Sequence, residues 1–296
     1  MPELPEVQAL AEFLDARTTG HRVVAADVAA IAALKTFDPP VSALVGREVR
    51  GVGRHGKWLD LTVGPDGDAL HLLFHLSRGG WVRWSDQAPT TPVRPRMGGS
   101  SRGAALALRV RLDDGAGFDL TEAGTRKRLA VHVVRDPQEV EQVATLGVDP
   151  LSDAFTPEAL AALMQARNQQ VKGLLRDQRA IAGIGNAYSD EILHVARVSP
   201  FKLTRSFTPD EVAALHDAVV TTLRDAVAAS SGKPAKELKD AKRAGMRVHG
   251  RTGEACPVCG DVVREVSFAD RSLQYCATCQ TDGQVLADRR MSRLLK

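Results

Sequence analysis

The chain has 296 residues, and this length predicts two domains because a single core seldom serves more than about 250–300 residues. Hydrophobic residues make up 44% of the sequence, which suffices for globular packing, and the formal net charge is only +3. No apolar run is long enough to span a bilayer, and the acidic start lacks the basic and then apolar pattern of a signal peptide, so we expect a cytoplasmic protein without a membrane partner.

The first six residues offer a nucleophile and two carboxylates. If Met1 is removed, which the small Pro2 side chain permits, the prolyl nitrogen becomes a secondary amine instead of an amide. Such an amine attacks an electrophilic sugar or carbonyl carbon and forms an iminium ion, and Glu3 beside it can carry protons. The same residues also begin a helix, with Pro5 in the first turn and Glu6 at the positive end of the dipole. Taken alone, they favour this simpler interpretation.

A helix and a series of short strands are predicted next. Apolar positions recur at helical spacing from Glu6 to Ala16, and Gly20 ends that helix. Short β-branched runs then alternate with turns, a pattern typical of an antiparallel sandwich or barrel. We interpret Pro89–Gly103 as a mobile, charged loop. The predicted strands are Val23–Val24, Glu48–Val52, Trp58–Val63, Ala69–Phe74, Trp81–Trp84, Ala105–Leu112, Phe118–Leu120 and Leu129–Val134.

An all-helical region is predicted after a linker. Its four helices begin at Thr156, span Val171–Arg179 and Ala187–Ala196, and run from Ser206 to about Ala229. The turn Ile181–Asn186 joins the second helix to the third. Gly183 and Gly185 allow close backbone approach there, and Asn186 can cap the third helix. Its backbone N–H groups can bind an anion, although a helix hairpin that only packs fits the pattern equally well.

A basic segment, residues 233–251, precedes the cysteines. It holds seven Lys or Arg residues against two acidic residues, a local net charge of +5, together with His249. Such a run is usually a solvated surface. A basic stripe also gains affinity for nucleic acid by releasing counterions, so its position favours phosphate contacts.

All four cysteines lie between positions 256 and 279. They form two Cys-X-X-Cys pairs separated by sixteen residues, the spacing of a zinc ribbon in which a β-hairpin joins two knuckles. In a reducing compartment this clustering favours a metal over disulfides. We therefore predict one structural Zn²⁺, and we expect the hairpin to present Arg271 near its tip. The predicted ligands are Cys256, Cys259, Cys276 and Cys279.

Five motifs follow one another along the chain. They are Pro-Glu-Leu-Pro-Glu after Met1, Lys57 within His-Gly-Lys-Trp, Leu146–Leu151, the turn Ile181–Asn186 followed by Tyr188, Asp190 and Glu191, and the four cysteines with Arg271 and Gln280. In this order they resemble the formamidopyrimidine-DNA glycosylase and endonuclease VIII (Fpg/Nei) family, over essentially the whole chain.

The resemblance implies a multidomain α+β fold. We expect an N-terminal antiparallel β-sandwich with flanking helices at 1–135, a linker at 136–152, a helix-two-turn-helix domain at 153–232, and a basic loop with a four-cysteine zinc finger at 233–296. The implied partner is double-stranded DNA that contains a damaged base or an abasic site. We expect a monomer that needs no organic cofactor and associates with the nucleoid when it binds DNA.

The resemblance also implies a mechanism for base excision repair. Pro2 attacks C1′ of the damaged nucleotide, Glu3 handles protons, and the resulting iminium ion drives β- and then δ-elimination. Lys57, Asn186 and Arg271 grip the phosphates around the flipped nucleotide, and Arg271 also matches the residue assigned to the second elimination. Glu6 supports the site or the helix start, and a direct catalytic role for it stays open. Flipping costs a few kcal/mol, which such contacts must offset.

Two wedge loops and the lesion-capping segment depart from the family pattern. The basic segment, residues 233–251, stands in place of the lesion-capping segment before the zinc finger. Formamidopyrimidine glycosylases carry a His-Leu-Gly-Met-Ser-Gly segment whose methionine fills the gap left by the flipped base, whereas His75–Gly80 here places Arg78 at that position. Thr121–Arg128 lacks the phenylalanine of the second wedge loop. Arg78, Arg126 and Lys127 could instead stack on bases or hold phosphates. The preferred lesion therefore stays open among oxidised purines, oxidised pyrimidines, abasic sites and bulkier adducts.

Three functions are compatible with the sequence. The joint presence of the nucleophile and the phosphate contacts favours a bifunctional DNA glycosylase and AP lyase. The altered loops keep open a zinc-ribbon protein that recognises DNA damage with little or no chemistry. A small-molecule hydrolase explains neither the zinc ribbon nor the basic segment.

Overall fold

The computed structural model describes residues 1–96, 104–268 and 272–286. The chain divides into two compact units, one comprising Met1–Thr145 with Ser230–Lys239 and the other Leu146–Ala229 with Asp240–Lys296. The return of ten residues to the first unit is a feature that the sequence pattern did not predict. The finer domain boundaries given above stay a prediction.

The first unit opens with helix α1 (Leu4–Thr18), which is two residues longer at each end than the sequence pattern predicted. Its apolar side chains, including Leu4, Leu10 and Leu14, are completely buried in the main core. Asp15 ties the helix to the neighbouring strand, because its Oδ1 accepts a hydrogen bond from the Val52 N–H at 2.8 Å. The position of the chain start is therefore fixed by packing along the whole helix.

Eight antiparallel strands form two four-stranded sheets, in the orders β1-β6-β7-β5 and β2-β3-β4-β8. The predicted sandwich is confirmed, and its core lies where the apolar faces of the two sheets and α1 meet. Alternation of apolar and polar residues makes the strands recognisable in the sequence. The strands are β1 (Val23–Val28), β2 (Val49–His55), β3 (Trp58–Val63), β4 (Leu70–His75), β5 (Gly80–Ser85), β6 (Ala105–Leu112), β7 (Gly117–Glu122) and β8 (Ala130–Val134).

The predicted loop and linker are partly structured. Arg96, within the predicted loop, accepts a hydrogen bond from the Ile31 N–H and donates to Ala29 O at 2.8 Å, whereas residues 97–103 lie outside the described part of the chain. The predicted linker contains a short helix, α2 (Glu141–Ala144). Later in the linker, the Gly147 N–H donates to Gln178 O, and a Cβ at Gly147 would lie 2.2 Å from the Ala180 backbone oxygen.

The second unit contains the predicted helices and the zinc-ribbon hairpin. Helix α4 ends at Arg176, three residues earlier than predicted, because residues 177–185 form the turn that leads into α5. The hairpin pairs β9 with β10 in antiparallel register, as expected. The elements are α3 (Pro157–Ala166), α4 (Val171–Arg176), α5 (Asn186–Val195), α6 (Pro209–Ser230), β9 (Val263–Ser267), β10 (Ser272–Cys276) and α8 (Ala277–Gln280).

The basic segment is not a continuous loop, because it contains helix α7 (Leu238–Gly245). In the first unit, Leu238 is buried in the sandwich core and the Lys239 ammonium lies 4.3 Å from the centroid of the Trp81 ring. In the second unit, the Lys242 ammonium lies 4.6 Å from the Tyr188 ring. Two of its lysines thus stabilise the fold through cation–π contacts.

A polar cluster lies on the face of the second sheet that points away from the main core. The Asp60 carboxylate, 6% exposed, lies 3.0 Å from His55 Nε2 and 2.9 Å from His71 Nδ1. Burial acts to raise the pKa of Asp60, but hydrogen bonds from both histidines outweigh burial and hold it below its usual value. The hydrogen bond between His71 and Asp60 also raises the pKa of His71.

Within the described part of the chain, no helix is both long and apolar enough to cross a membrane.

We expect Asp60→Asn to lower the free energy of unfolding by about 1–3 kcal/mol near pH 5, because a buried hydrogen-bonded charge is lost. The contribution of His71 is present below its unfolded pKa and lost as the pH rises through its folded pKa, whereas that of Asp60 is lost as the pH falls through its depressed pKa. The effect should be greatest between roughly pH 4 and 6.5. Urea unfolding at several pH values measures it, with the exposed Asp66→Asn as control. A difference that does not depend on pH would contradict the coupling.

Candidate functional site

The start of α1 holds the predicted nucleophile and its carboxylates. Pro2 is buried, and Glu3 and Glu6 are 3% and 1% exposed. The Glu3 N–H donates to Glu6 Oε2 at 2.8 Å, and the two glutamates form a capping box. Glu6 therefore supports the helix start, while Glu3 lies directly between Pro2 and the first helical residue.

Lys57 lies in the tight turn between β2 and β3. The turn has two residues, and Gly56 takes a positive φ of 53° there, a conformation that favours glycine. The Lys57 side chain is largely buried. Burial, and then the positive charge of Lys57, lowers the pKa of His75 at the end of β4 to about 4, so this imidazole is neutral at pH 7. The sequence named His75 only as the first residue of the segment His75–Gly80 and assigned no role to its imidazole.

The two loops that depart from the family pattern pack against each other. The Ala123 N–H donates to Gly79 O at 2.9 Å, and a Cβ at Gly79 would lie only 2.3 Å from Ala123 O. Glycine is therefore required at this contact. Arg78 lies on one loop and is exposed, and Arg126 and Lys127 lie exposed on the other. The structure thus brings the two predicted cationic loops together within the first unit.

A buried carboxylate organises the second of these loops. Glu122, 4% exposed, accepts hydrogen bonds through Oε1 from the Arg128 N–H at 2.6 Å and the Leu129 N–H at 3.0 Å. Lys127 Nζ donates to the Glu122 backbone oxygen. The loop is held through its backbone N–H groups, and the Arg126 side chain extends from this fixed backbone.

In the second unit, Asn186 begins α5 but does not cap it, which corrects the prediction. Gly185 occupies the N-cap position in an extended conformation. The Asn186 side chain instead donates through Nδ2 to Ser272 O at 2.8 Å, at the start of β10. Its Oδ1 is buried and has no hydrogen-bond partner among the described residues. Arg271, which directly precedes Ser272, lies outside the described residues.

A buried ion pair lies beneath Asn186. Lys172, 6% exposed, places Nζ 2.6 Å from Asp190 Oδ1 and 3.2 Å from Asn186 O. The second oxygen of Asp190 lies 2.7 Å from His249 Nδ1. The sequence analysis did not identify Lys172. Its one distinguishing feature in the sequence is its position between apolar residues of α4. The ion pair fixes both the first turn of α5 and the end of the basic segment.

Glu191 anchors the same segment. Its buried carboxylate accepts hydrogen bonds from the N–H groups of Arg247, Val248 and His249 at 2.6, 3.0 and 2.8 Å. Burial raises the pKa of Glu191, and these three hydrogen bonds oppose the rise without cancelling it. The part of the basic segment closest to the cysteines is therefore rigidly attached to α5.

The four cysteines converge on one point. Their sulfur atoms all lie within 4.8 Å of one another, with Cys259 and Cys276 3.4 Å apart and Cys256 and Cys279 3.9 Å apart. A tetrahedral zinc ion with bonds of about 2.3 Å requires sulfur atoms ~3.8 Å apart, so the cluster fits. Burial raises the pKa of Cys276 to about 11, and a bound cation would reverse that rise.

Comparisons with known proteins agree with this architecture. Residues 1–131 match the profile of the formamidopyrimidine-DNA glycosylase N-terminal domain, residues 146–236 its H2TH domain, and residues 253–281 the zinc finger found in FPG and IleRS. A formamidopyrimidine-DNA glycosylase of Roseiflexus sp. is 34% identical over 95% of this chain and 100% of its own length. A formamidopyrimidine-DNA glycosylase-like protein of Mycobacterium tuberculosis is 56% identical over 52% of this chain and 97% of its own length.

The solved structure of Lactococcus lactis Fpg in complex with DNA containing an abasic site superposes with a TM-score of 0.80 at 23% identity, covering 94% of this chain and 99% of that one. This likeness concerns the fold. Together with the relatives and profiles, it defines a β-sandwich, helix-two-turn-helix and zinc-finger architecture. The chain belongs to the formamidopyrimidine-DNA glycosylase family. Members of this family are DNA glycosylases of base excision repair, and AP lyase activity is typical of them.

We expect Lys172→Met to destabilise the protein by about 3–5 kcal/mol, because the buried Asp190 carboxylate would lose the ammonium and keep only His249 as a partner. Lys202→Met is the matched control, since the Lys202–Glu211 pair is only partly buried and such a pair contributes less than about 1 kcal/mol. Urea unfolding of the full chain measures both. If both substitutions lowered the free energy of unfolding equally, the buried pair would contribute no more to stability than the partly exposed one.

Proposed function

We propose that this chain is a bifunctional DNA glycosylase and AP lyase whose nucleophile is the amine of Pro2. The observation that carries the proposal is the buried start of α1, which holds Pro2 beside Glu3 in a chain of this family. Removal of Met1 converts the Pro2 nitrogen from an amide to a secondary amine. With an α-amino pKa of roughly 7.7–8.0, part of the population is neutral and nucleophilic near pH 7.

The reaction begins with attack of the Pro2 nitrogen on C1′ of the damaged nucleotide. The bond between C1′ and the base breaks, and the base leaves with a proton. Glu3 moves protons at the sugar, and ring opening gives an iminium ion between Pro2 and C1′. The iminium acidifies the C2′ hydrogens, so loss of one of them expels the 3′ phosphate. A second elimination expels the 5′ phosphate, and water then releases the enzyme.

Basic side chains and Asn186 hold the DNA in this proposal. We assign Lys57, Asn186 and Arg271 to the phosphates around the extruded nucleotide, with Arg271 acting in the second elimination as well. Phosphate contacts give affinity and register, and extrusion of a nucleotide costs a few kcal/mol that they help to offset. Arg78, Arg126 and Lys127 take the place of an apolar wedge. The contact between the two loops supports this assignment, because the Ala123 N–H on the loop of Arg126 and Lys127 donates to Gly79 O on the loop of Arg78.

Zinc has a structural role in this proposal. One Zn²⁺ held by the four cysteines would stabilise a hairpin that has little core of its own. The chemistry requires no organic cofactor, because the Pro2 iminium itself accepts the electrons. A DNA substrate places the enzyme in the cytoplasm, at the nucleoid.

A second candidate function is binding to damaged DNA without chemistry. The observation that favours it is the exposed Arg78 and Arg126 on the paired loops, which can hold DNA regardless of catalysis. The mass of the mature protein separates the two functions. A retained Met1 leaves Pro2 as an amide and favours binding alone, whereas loss of Met1 is required for the lyase.

We expect sodium borohydride to trap a covalent complex between the mature protein and DNA that contains an abasic site, because the iminium is reducible. Pro2→Gly should reduce the trapped fraction by about tenfold or more. Denaturing gel electrophoresis measures the adduct. Pro5→Ala, which keeps the terminal amine, is the control and should trap normally. No adduct with the mature wild-type protein would refute the lyase.

We further expect a zinc chelator to reduce DNA affinity by at least about tenfold, because the hairpin loses its ligand-held geometry. The first unit should remain folded. Its fluorescence reports this directly, since Trp58, Trp81 and Trp84 all lie in that unit. Binding to labelled duplex, measured by anisotropy in metal-free and zinc-restored protein, is the readout, and unchanged affinity without metal would contradict the structural role.

A further inference from the structure

A buried histidine touches the cysteine cluster from helix α5. His194 is 2% exposed, and its Nε2 lies 3.2 Å from the Sγ of Cys256. It comes from a different element than the cysteines, sixty-two residues earlier in the chain. The contact therefore joins the metal-binding segment to a DNA-binding helix of the proposed function.

The chemistry of the contact fixes which atom donates. A cysteine bound to zinc is a thiolate, which can only accept a hydrogen bond. Nε2 must therefore carry the proton, which leaves Nδ1 as an acceptor. That Nδ1 is buried and has no hydrogen-bond partner in the described part of the chain. A phenylalanine of similar shape would not bury an unsatisfied nitrogen at this position. The histidine can therefore stabilise the site only through the hydrogen bond of its Nε2.

A donor is useful at this position because four thiolates and one Zn²⁺ carry a net charge of −2. An N–H···S hydrogen bond withdraws charge from the thiolate and fixes its side-chain orientation. A second side chain links the backbone of the cluster to the chain that follows α5. Gln280 accepts from the Cys276 N–H at 2.9 Å and donates to Val198 O at 3.0 Å, just beyond the end of α5.

The same helix carries Asn186 at its first turn. Residues 187–194 of α5 are all buried, so the helix is held on every side. A displacement of the cluster at His194 would consequently be transmitted along a rigid element to Asn186, whose side chain also contacts β10 at Ser272. The zinc site and the Asn186 site are thus connected by α5 as well as by the hairpin.

We propose that His194 is a positioning residue of the zinc site, and that its Nε2–H hydrogen bond to the Cys256 thiolate holds the ion and attaches the ribbon to α5. The inference rests on the proposed zinc site. It extends that site to a residue that supplies no metal bond but controls how firmly the metal is kept.

The test measures the rate of zinc release from the full-length zinc-loaded protein into a chromogenic chelator. His194→Phe removes the donor but keeps the bulk, and His194→Asn shortens the side chain so that its amide cannot reach Cys256. Both should release zinc about 10–100-fold faster than the wild type. His194→Gln places an N–H near the original Nε2 and should restore most of the retention.

His216→Gln is the matched control. His216 stacks on Phe155 in the same unit, with 5.1 Å between ring centroids, and hydrogen-bonds Phe155 O. Its loss affects packing without touching a cysteine, so zinc release should not change. Replacement of zinc by Co²⁺ gives a second readout, because the thiolate-to-cobalt absorption band should shift in the Phe and Asn variants but much less in the Gln variant.

Equal release rates for the wild type and the Asn and Gln variants would overturn the inference, as would an unshifted cobalt band in His194→Asn. A wild-type protein that binds no zinc would overturn it together with the zinc site. Borohydride trapping of the same preparations reports on Pro2 separately, so failure of the His194 contact and failure of the lyase proposal are distinguishable.

Discussion

The burial of α1 is the constraint on which the proposed chemistry depends. A terminal amine is ordinarily the most mobile atom of a chain, and ordering it requires neighbours that do not move. Here Leu4 and Leu10 are fully buried, and Glu6 closes the helix start through the Glu3 N–H. Pro2 therefore occupies a defined place before any substrate is bound. Preorganisation of this kind lowers the barrier because orientation is settled during folding.

In each unit, a buried glutamate fixes a basic stretch of chain through its backbone N–H groups. Glu122 accepts from the loop that carries Arg126, and Glu191 accepts from residues 247–249 of the basic segment. Backbone anchoring leaves the Arg126 side chain exposed, whereas Lys127 Nζ donates to Glu122 O and Lys239 and Lys242 lie against aromatic rings. These backbone hydrogen bonds also order stretches of chain whose like charges repel one another, a composition that by itself favours disorder. The Arg78 loop is fixed against the first of these segments through Gly79.

Local patterns predicted most of the fold. The strands, the helices from α3 to α6 and the cysteine pairs depend on periodicity or spacing within a short stretch, and their presence is confirmed. Their ends are less well predicted, because α4 stops three residues early and β1 continues four residues further. Contacts between residues that are distant along the chain could not be predicted from local patterns. Asp190 finds Lys172 eighteen positions away and His249 fifty-nine away, and Trp81 Nε1 donates to Ala235 O across 154 positions. The sequence predicted Asn186 as the N-cap of α5. The N-cap is Gly185, one residue earlier, because its extended backbone satisfies the N-cap geometry.

In the proposed reaction, the Pro2 nitrogen is the nucleophile. Mass spectrometry of peptides from the borohydride-reduced adduct formed on DNA with an abasic site tests this assignment most directly. We expect the deoxyribose remnant on the peptide that begins with Pro2, with Met1 absent. A remnant attached instead to a lysine such as Lys57, or found on a chain that retains Met1, would contradict a nucleophile at Pro2.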